Sequence, residues 1–127
     1  MTKGEIAKLN FENGLNCAQA VVLAFKDEMN LDEQALKKLI IGFGGGFARQ
    51  RMVCGAVSGM TMVLSYLKSD GEDKLAAYAI VKDACEKVKA KIGSLICSEL
   101  MAAADGKKRP CADICAIVAD ITAEYLK

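Results

Sequence analysis

Histidine is absent from this 127-residue chain, and with it go the commonest general acid-base group and every Cys/His zinc pattern. Any metal held here needs sulfur or oxygen ligands. Proline occurs once and aromatic residues make up 6%, against an apolar fraction of 53%. That balance excludes a disordered or low-complexity segment and suits a helical globular protein. A charge excess is missing too: 17 lysines and arginines face 16 aspartates and glutamates. No global basic field exists to drive nonspecific nucleic-acid binding, so no nucleic-acid partner is expected. The opening MTKGEIAKLN lacks the apolar stretch of a secretory signal, which predicts a cytoplasmic protein. The longest uncharged run, Met52 to Leu67, falls short of the ~20 residues a bilayer span requires. It reads as a buried helix, and no membrane span is expected.

Apolar residues recur at helical spacing nearly throughout, and no segment alternates with period two for long. The predicted fold class is therefore all-α, one domain over residues 1–127, a compact bundle of about six to seven short helices. A first helix runs near residues 3 to 12, and Asn16 caps a second with the stripe Ala18, Val21, Val22, Phe25 and Met29. A third begins at the acidic turn after Leu31 and carries Leu36, Leu39, Ile40 and Phe43 on one face until GFGGGF stops it. The fourth, from about Val53 to Leu67, buries Val53, Val57, Met60, Leu64 and Leu67. The fifth, about 72 to 92, places Tyr78, Val81, Cys85, Val88 and Ile92 on one stripe. Ser94 caps a short sixth helix over LICSELMAAA, and Pro110 opens a seventh that runs to about Leu126.

What the chain does have is cysteine, six in all. In a reducing compartment these read as metal ligands, redox groups or small core residues rather than a disulfide framework. No Cys-x-x-Cys occurs, which counts against a zinc ribbon, a thioredoxin-like dithiol and the commonest ferredoxin spacings. The helix map sorts the six. Cys17, Cys54, Cys97 and Cys111 all fall in or near a first helical turn, where free N–H groups and the helix dipole favour a thiolate and lower its pKa. Arg49 and Arg51 precede Cys54, and Lys107, Lys108 and Arg109 precede Cys111. Cys85 lies on an apolar stripe inside a helix, and Cys115 lies one turn beyond Cys111. Both read first as core filler, although the spacing from Cys111 also makes Cys115 an alternative ligand.

The stretch GFGGGF carries Gly44, Gly45 and Gly46, whose N–H groups could donate to cluster sulfurs or a thiolate. It is no phosphate loop: no Gly-Lys-Ser/Thr follows and no strand precedes it, so no nucleotide cofactor is expected. Gly55 and Gly59 form a small-xxx-small face, read as close helix packing that also opens an approach to Cys54.

GLNCAQAVVLAF, GFGGGFARQRMVCGAVSGM, GSLICSEL and KKRPCADI resemble, in order and spacing, the signature blocks of the redox-active four-cysteine family named C_GCAxxG_C_C. The likeness runs from about Phe11 to Leu126. It implies a bacterial helical domain whose four cysteines fall on Cys17, Cys54, Cys97 and Cys111, with no assigned substrate. A similar four-cysteine domain in a multihaem cytochrome family implies iron-sulfur ligation. In two respects the chain departs from the resemblance: short connections after Lys68 and around Ala104 to Gly106, and Ala48 where the loop usually has glycine.

Three functions remain open at the level of sequence. The first is an iron-sulfur cluster on Cys17, Cys54, Cys97 and Cys111 serving electron transfer or redox sensing, since four thiolates without histidine suit soft metals. A thiol-disulfide oxidoreductase with Cys54 and Cys111 as its reactive pair is the second. The third is a structural zinc site or a plain partner-binding module. Whether the protein is an enzyme is left open. A redox partner protein and a homodimer are the partners the reading allows.

Overall fold

In the computed structural model, residues 1–103 and 105–127 are described. The first helix, α1 (Lys3–Glu12), starts from a capping box in which Thr2 and Glu5 bond each other's backbone N–H. A second capping box opens α2 (Cys17–Ala24): the Gln19 N–H donates to Asn16 Oδ1 at 2.9 Å, and the Asn16 N–H donates to Gln19 Oε1 at 3.1 Å. Every residue of α2 after Cys17 is buried. This helix is the centre of the bundle, with α1, α6 (Gly55–Lys68), α9 (Cys111–Glu124) and α4 (Glu33–Ile40) packed around it.

The second helix predicted from the sequence is broken after Ala24. Lys3 Nζ donates to the Ala24 carbonyl at 3.0 Å, and the Phe25 N–H turns back to Val22 at 3.0 Å. A tertiary contact thus satisfies the carbonyl that helix continuation would have used, and a separate turn, α3 (Lys26–Met29), follows. Asp32 caps α4, and of the predicted stripe Leu36 and Ile40 are buried while Leu39 is 65% exposed. On α7 (Lys74–Ile92) the stripe is likewise narrower than predicted: Val88 and Ile92 are buried, Val81 and Cys85 are half-buried, and Tyr78 is 62% exposed. The short helix α8 (Cys97–Met101) begins at Cys97, not after Ser94. Ser94 accepts from the Ile96 N–H at 3.0 Å and bonds Glu99, holding the approach to the helix instead of capping it. The helix also ends earlier than expected: Ala102 is its C-cap and Ala103 turns to φ 54°, while Ala104 lies outside the described residues.

After α4 comes a 3-10 turn (Ile41–Phe43) and then α5 (Gly44–Phe47), a single turn in which Gly45 and Gly46 have φ of 69° and 71°. Left-handed backbone continues through Phe47, Ala48 and Arg49 and recurs at Arg51. Ala48, at φ 54° and ψ 45°, sits in a conformation that costs an L-residue about 1 kcal/mol and glycine little. Ala48→Gly should therefore stabilise the protein by ~0.5 to 1 kcal/mol, offset in part by the looser unfolded chain. A urea midpoint at or below that of the native chain would contradict the strain argument.

Among the described residues there is no strand, only an isolated antiparallel bridge between Val53 and Ile96. One hydrophobic cluster links α1, α2, α4, α6, α7 and α9. No helix among the described residues is long and apolar enough to cross a membrane.

Candidate functional site

Four helix beginnings meet at one end of the bundle. Cys17, Cys97 and Cys111 are the first residues of α2, α8 and α9, and Cys54 is the N-cap of α6. Close packing sets Cys17 against α6: a Cβ added at Gly55 would strike Cys17 Sγ, and one at Gly59 would stand 2.9 Å from the Ala18 carbonyl. The bridge at Val53 and Ile96 does the same for the next pair. The Cys54 N–H donates to Leu95 at 2.8 Å and the Cys97 N–H to Met52 at 2.6 Å, so two cysteines 43 residues apart begin their helices side by side. Pro110 at the N-cap of α9 completes the set by starting the helix at Cys111.

The four cysteines line one cavity of about 60 Å³, walled also by Gly45, Gly55, Leu100, Met101 and Ile114, with Arg51 and Arg109 among its lining residues. Of the three glycines singled out in the sequence, Gly45 faces the cavity. Gly46 backs Cys97, and Gly44 lies against the Asn16 side chain. Cys85 is elsewhere, half-buried on α7 with Glu86 and Lys89 as its charged neighbours. Cys115 is fully buried, its Sγ 3.8 Å from the Cys17 carbonyl.

Cations and thiols are arranged differently from the expectation. Arg51 reaches across to Cys97, with Nη1 3.7 Å from its Sγ. Arg109 instead closes the end of α7, donating to the carbonyls of Ile92 at 3.2 Å and Lys91 at 3.3 Å while pairing with Asp105 at 3.0 Å. The lowered thiol pKa values expected at Cys54 and Cys111 are not found. Burial pushes Cys54 up to about 12, with the Cys17 and Cys97 sulfurs adding to the rise, although the N–H groups of Val57 and Ala56 pull the other way. Burial also raises Cys111, as do Cys17 and Cys97, against the lowering effect of Arg51. The helix start does act on Cys54 as the sequence suggests, but loss of water outweighs it.

A consequence can be measured on metal-free native protein. Burial raises the Cys54 pKa to about 12, far above pH 7, and Cys54 is only 7% exposed, so both its ionisation and its access to reagent are disfavoured. Iodoacetamide should label exposed Cys111 first and Cys54 far more slowly. Labelling of Cys54 as fast as Cys111 would refute this account of the burial.

Two contributors escaped the sequence reading, Leu100 and Met101 in the wall, and so did the pairing of Arg51 with Cys97. Leu100 and Met101 come from α8, whose register the misplaced cap obscured. The profile of the family described as "Putative redox-active protein (C_GCAxxG_C_C)" matches residues 15–125. No curated protein and no solved structure matches the chain.

Proposed function

The chain belongs to the C_GCAxxG_C_C family, and on that premise we propose that Cys17, Cys54, Cys97 and Cys111 ligate an iron-sulfur cluster for electron transfer or redox sensing. The observation that carries the reading is their common cavity at four helix starts. By chemistry the donors fit: four thiols, no histidine in the chain, and no carboxylate among the lining residues. Sets of four thiolates of this kind are the usual ligands of such clusters. The fit is one of donors and placement, not of finished ligand geometry. Among the described residues no three His, Cys, Asp or Glu side chains are grouped as the ligands of a metal ion. At about 60 Å³ the cavity is also well below the ~300 Å³ at which pockets for organic ligands begin.

Bound there, the group would supply one-electron exchange. The protein's own contribution is to hold and insulate the sulfurs. Leu100, Met101 and Ile114 keep the wall apolar, and four thiolates crowded there would repel one another without a cation between them. The N–H groups of Ala56 and Val57 face Cys54, and Arg51 faces Cys97. Donors to sulfur stabilise added negative charge and so raise a centre's potential. The thiol-disulfide alternative is less well supported, because its proposed nucleophile, Cys54, is buried and neutral.

The test is metal analysis of protein purified without oxygen. Brown protein with iron and sulfide supports the proposal. Colourless protein with zinc assigns a structural site, and metal-free protein that forms a reversible disulfide assigns thiol exchange.

A further inference from the structure

Charge is distributed very unevenly around the cysteine cavity. The segments Ala48–Met52 and Lys107–Arg109 hold five cations, Arg49, Arg51, Lys107, Lys108 and Arg109, and no acid. Removing those five from the chain's 17 leaves 12 cations against all 16 acids, so the rest of the molecule is net negative. Both segments border the site. Arg51 and Arg109 line the cavity, and a Cβ at Gly45 in its wall would stand 2.9 Å from the Arg49 side chain. Lys107 and Lys108, next to Arg109, are exposed. Of the ion pairs among the described residues, the one that engages these cations is Arg109 with Asp105.

Two exposed methionines belong to the same region. Met52 and Met101 are each 51% exposed; Met101 lines the cavity, and Met52 is hydrogen-bonded through its carbonyl to the Cys97 N–H. Cys111 is the exposed member of the quartet, and Cys17 is half-buried. Two exposed methionines next to exposed Arg49, Lys107 and Lys108 suit a protein surface: the charges steer and orient, and the methionines adapt to what they meet. A small anion would need only the cations. Single-stranded nucleic acid would also want aromatic platforms, and no aromatic side chain lines the cavity.

We propose that this mouth is the docking site of an acidic electron-carrier protein, oriented by Arg49, Lys107 and Lys108 around Met52 and Met101. The inference rests on the redox reading of the site and names the partner that reading requires. Such docking places the partner against Cys111 and the cavity, at the short end of any electron path.

The experiment is an NMR titration of the full ¹⁵N-labelled chain, purified without oxygen. The probe is a small acidic ferredoxin-type carrier, with a basic cytochrome-type carrier as control. Amide shifts are expected around residues 49–52, 97–101 and 107–111 with the acidic probe alone. Affinity should fall about tenfold or more between ~0.05 and ~0.5 M salt. The triple variant Arg49→Glu, Lys107→Glu, Lys108→Glu should lose a further factor of about ten while melting like the native chain, since all three side chains are exposed. Shifts elsewhere, no shifts, an equal response to the basic probe, or unchanged binding by the triple variant would overturn the proposal. So would tighter binding of a single-stranded oligonucleotide or of anionic vesicles at the same residues. Iron content measured on the same sample keeps the two proposals separate. Shifts without iron sink the cluster and leave the docking face, and iron without shifts does the reverse.

Discussion

Gly46→Ala should destabilise the protein by about 2 to 4 kcal/mol and disrupt the cysteine site with it. Two costs add at this position. Its φ of 71° is strained for any L side chain, at about 1 kcal/mol. The new Cβ would also stand 2.6 Å from the Met52 backbone nitrogen and 2.9 Å from Cys97 Cβ. Neither neighbour can retreat freely, because Met52 and Cys97 are tied by a 2.6 Å backbone hydrogen bond and the adjacent bridge. Overpacking of this kind typically costs ~1 to 3 kcal/mol. Gly42→Ala is the control in the same stretch, since a Cβ there meets nothing within 4 Å; its effect should stay within about 0.5 kcal/mol. Urea denaturation of both variants decides the matter, and equal midpoints would remove the steric argument.

Replacing any one of Cys17, Cys54, Cys97 and Cys111 by serine should reduce iron and sulfide retention at least tenfold, while Cys85→Ala and Cys115→Ala retain it. The four line a shared cavity, Cys85 lies apart on α7, and Cys115 is buried behind Cys17 without lining the cavity. The two controls should still lose ~1 to 2 kcal/mol each from the space they vacate. Because binding to the folded state adds to its stability, chelation should lower the melting temperature of the native chain. It should leave that of the four serine variants unmoved. Loss of metal in Cys85→Ala with the fold retained would break the division of the six cysteines.

How much of this could be read from the residues follows the range of the interaction involved. Asn16 and Pro110 are local signals, and both helix starts are where those residues put them. That is why Cys17 and Cys111 could be placed at helix starts before any coordinates. The break after Ala24 could not be read, because it depends on Lys3, 21 residues away. Ser94 misled for a related reason: serine is a common cap, but here its hydroxyl serves Ile96 and Glu99. Leu39 and Tyr78 lie on periodic stripes, and periodicity says which residues share a face, not where the protein ends. The thiol pKa values failed most clearly. Helix position is written in the sequence and solvent exclusion is not, and at Cys54 the second outweighs the first.

The glycine stretch shows an intermediate case. Its role as a helix stop is plain from composition, and Ala48 stands out against the family pattern. The run of left-handed residues on to Arg49, however, follows from long backbone hydrogen bonds such as Ala48 to Gly42 at 2.9 Å and Met52 to Gly46 at 3.1 Å. Through that turn the chain swings Arg51 towards Cys97, 46 residues further along.

The central claim, that four helix starts bring four cysteines into one redox centre, is tested most directly by iron X-ray absorption of the anaerobically prepared chain. The account predicts an all-sulfur first shell with neighbouring iron atoms, lost in the Cys54→Ser protein. Iron ligated by oxygen or nitrogen, or isolated iron without an iron neighbour, would contradict it.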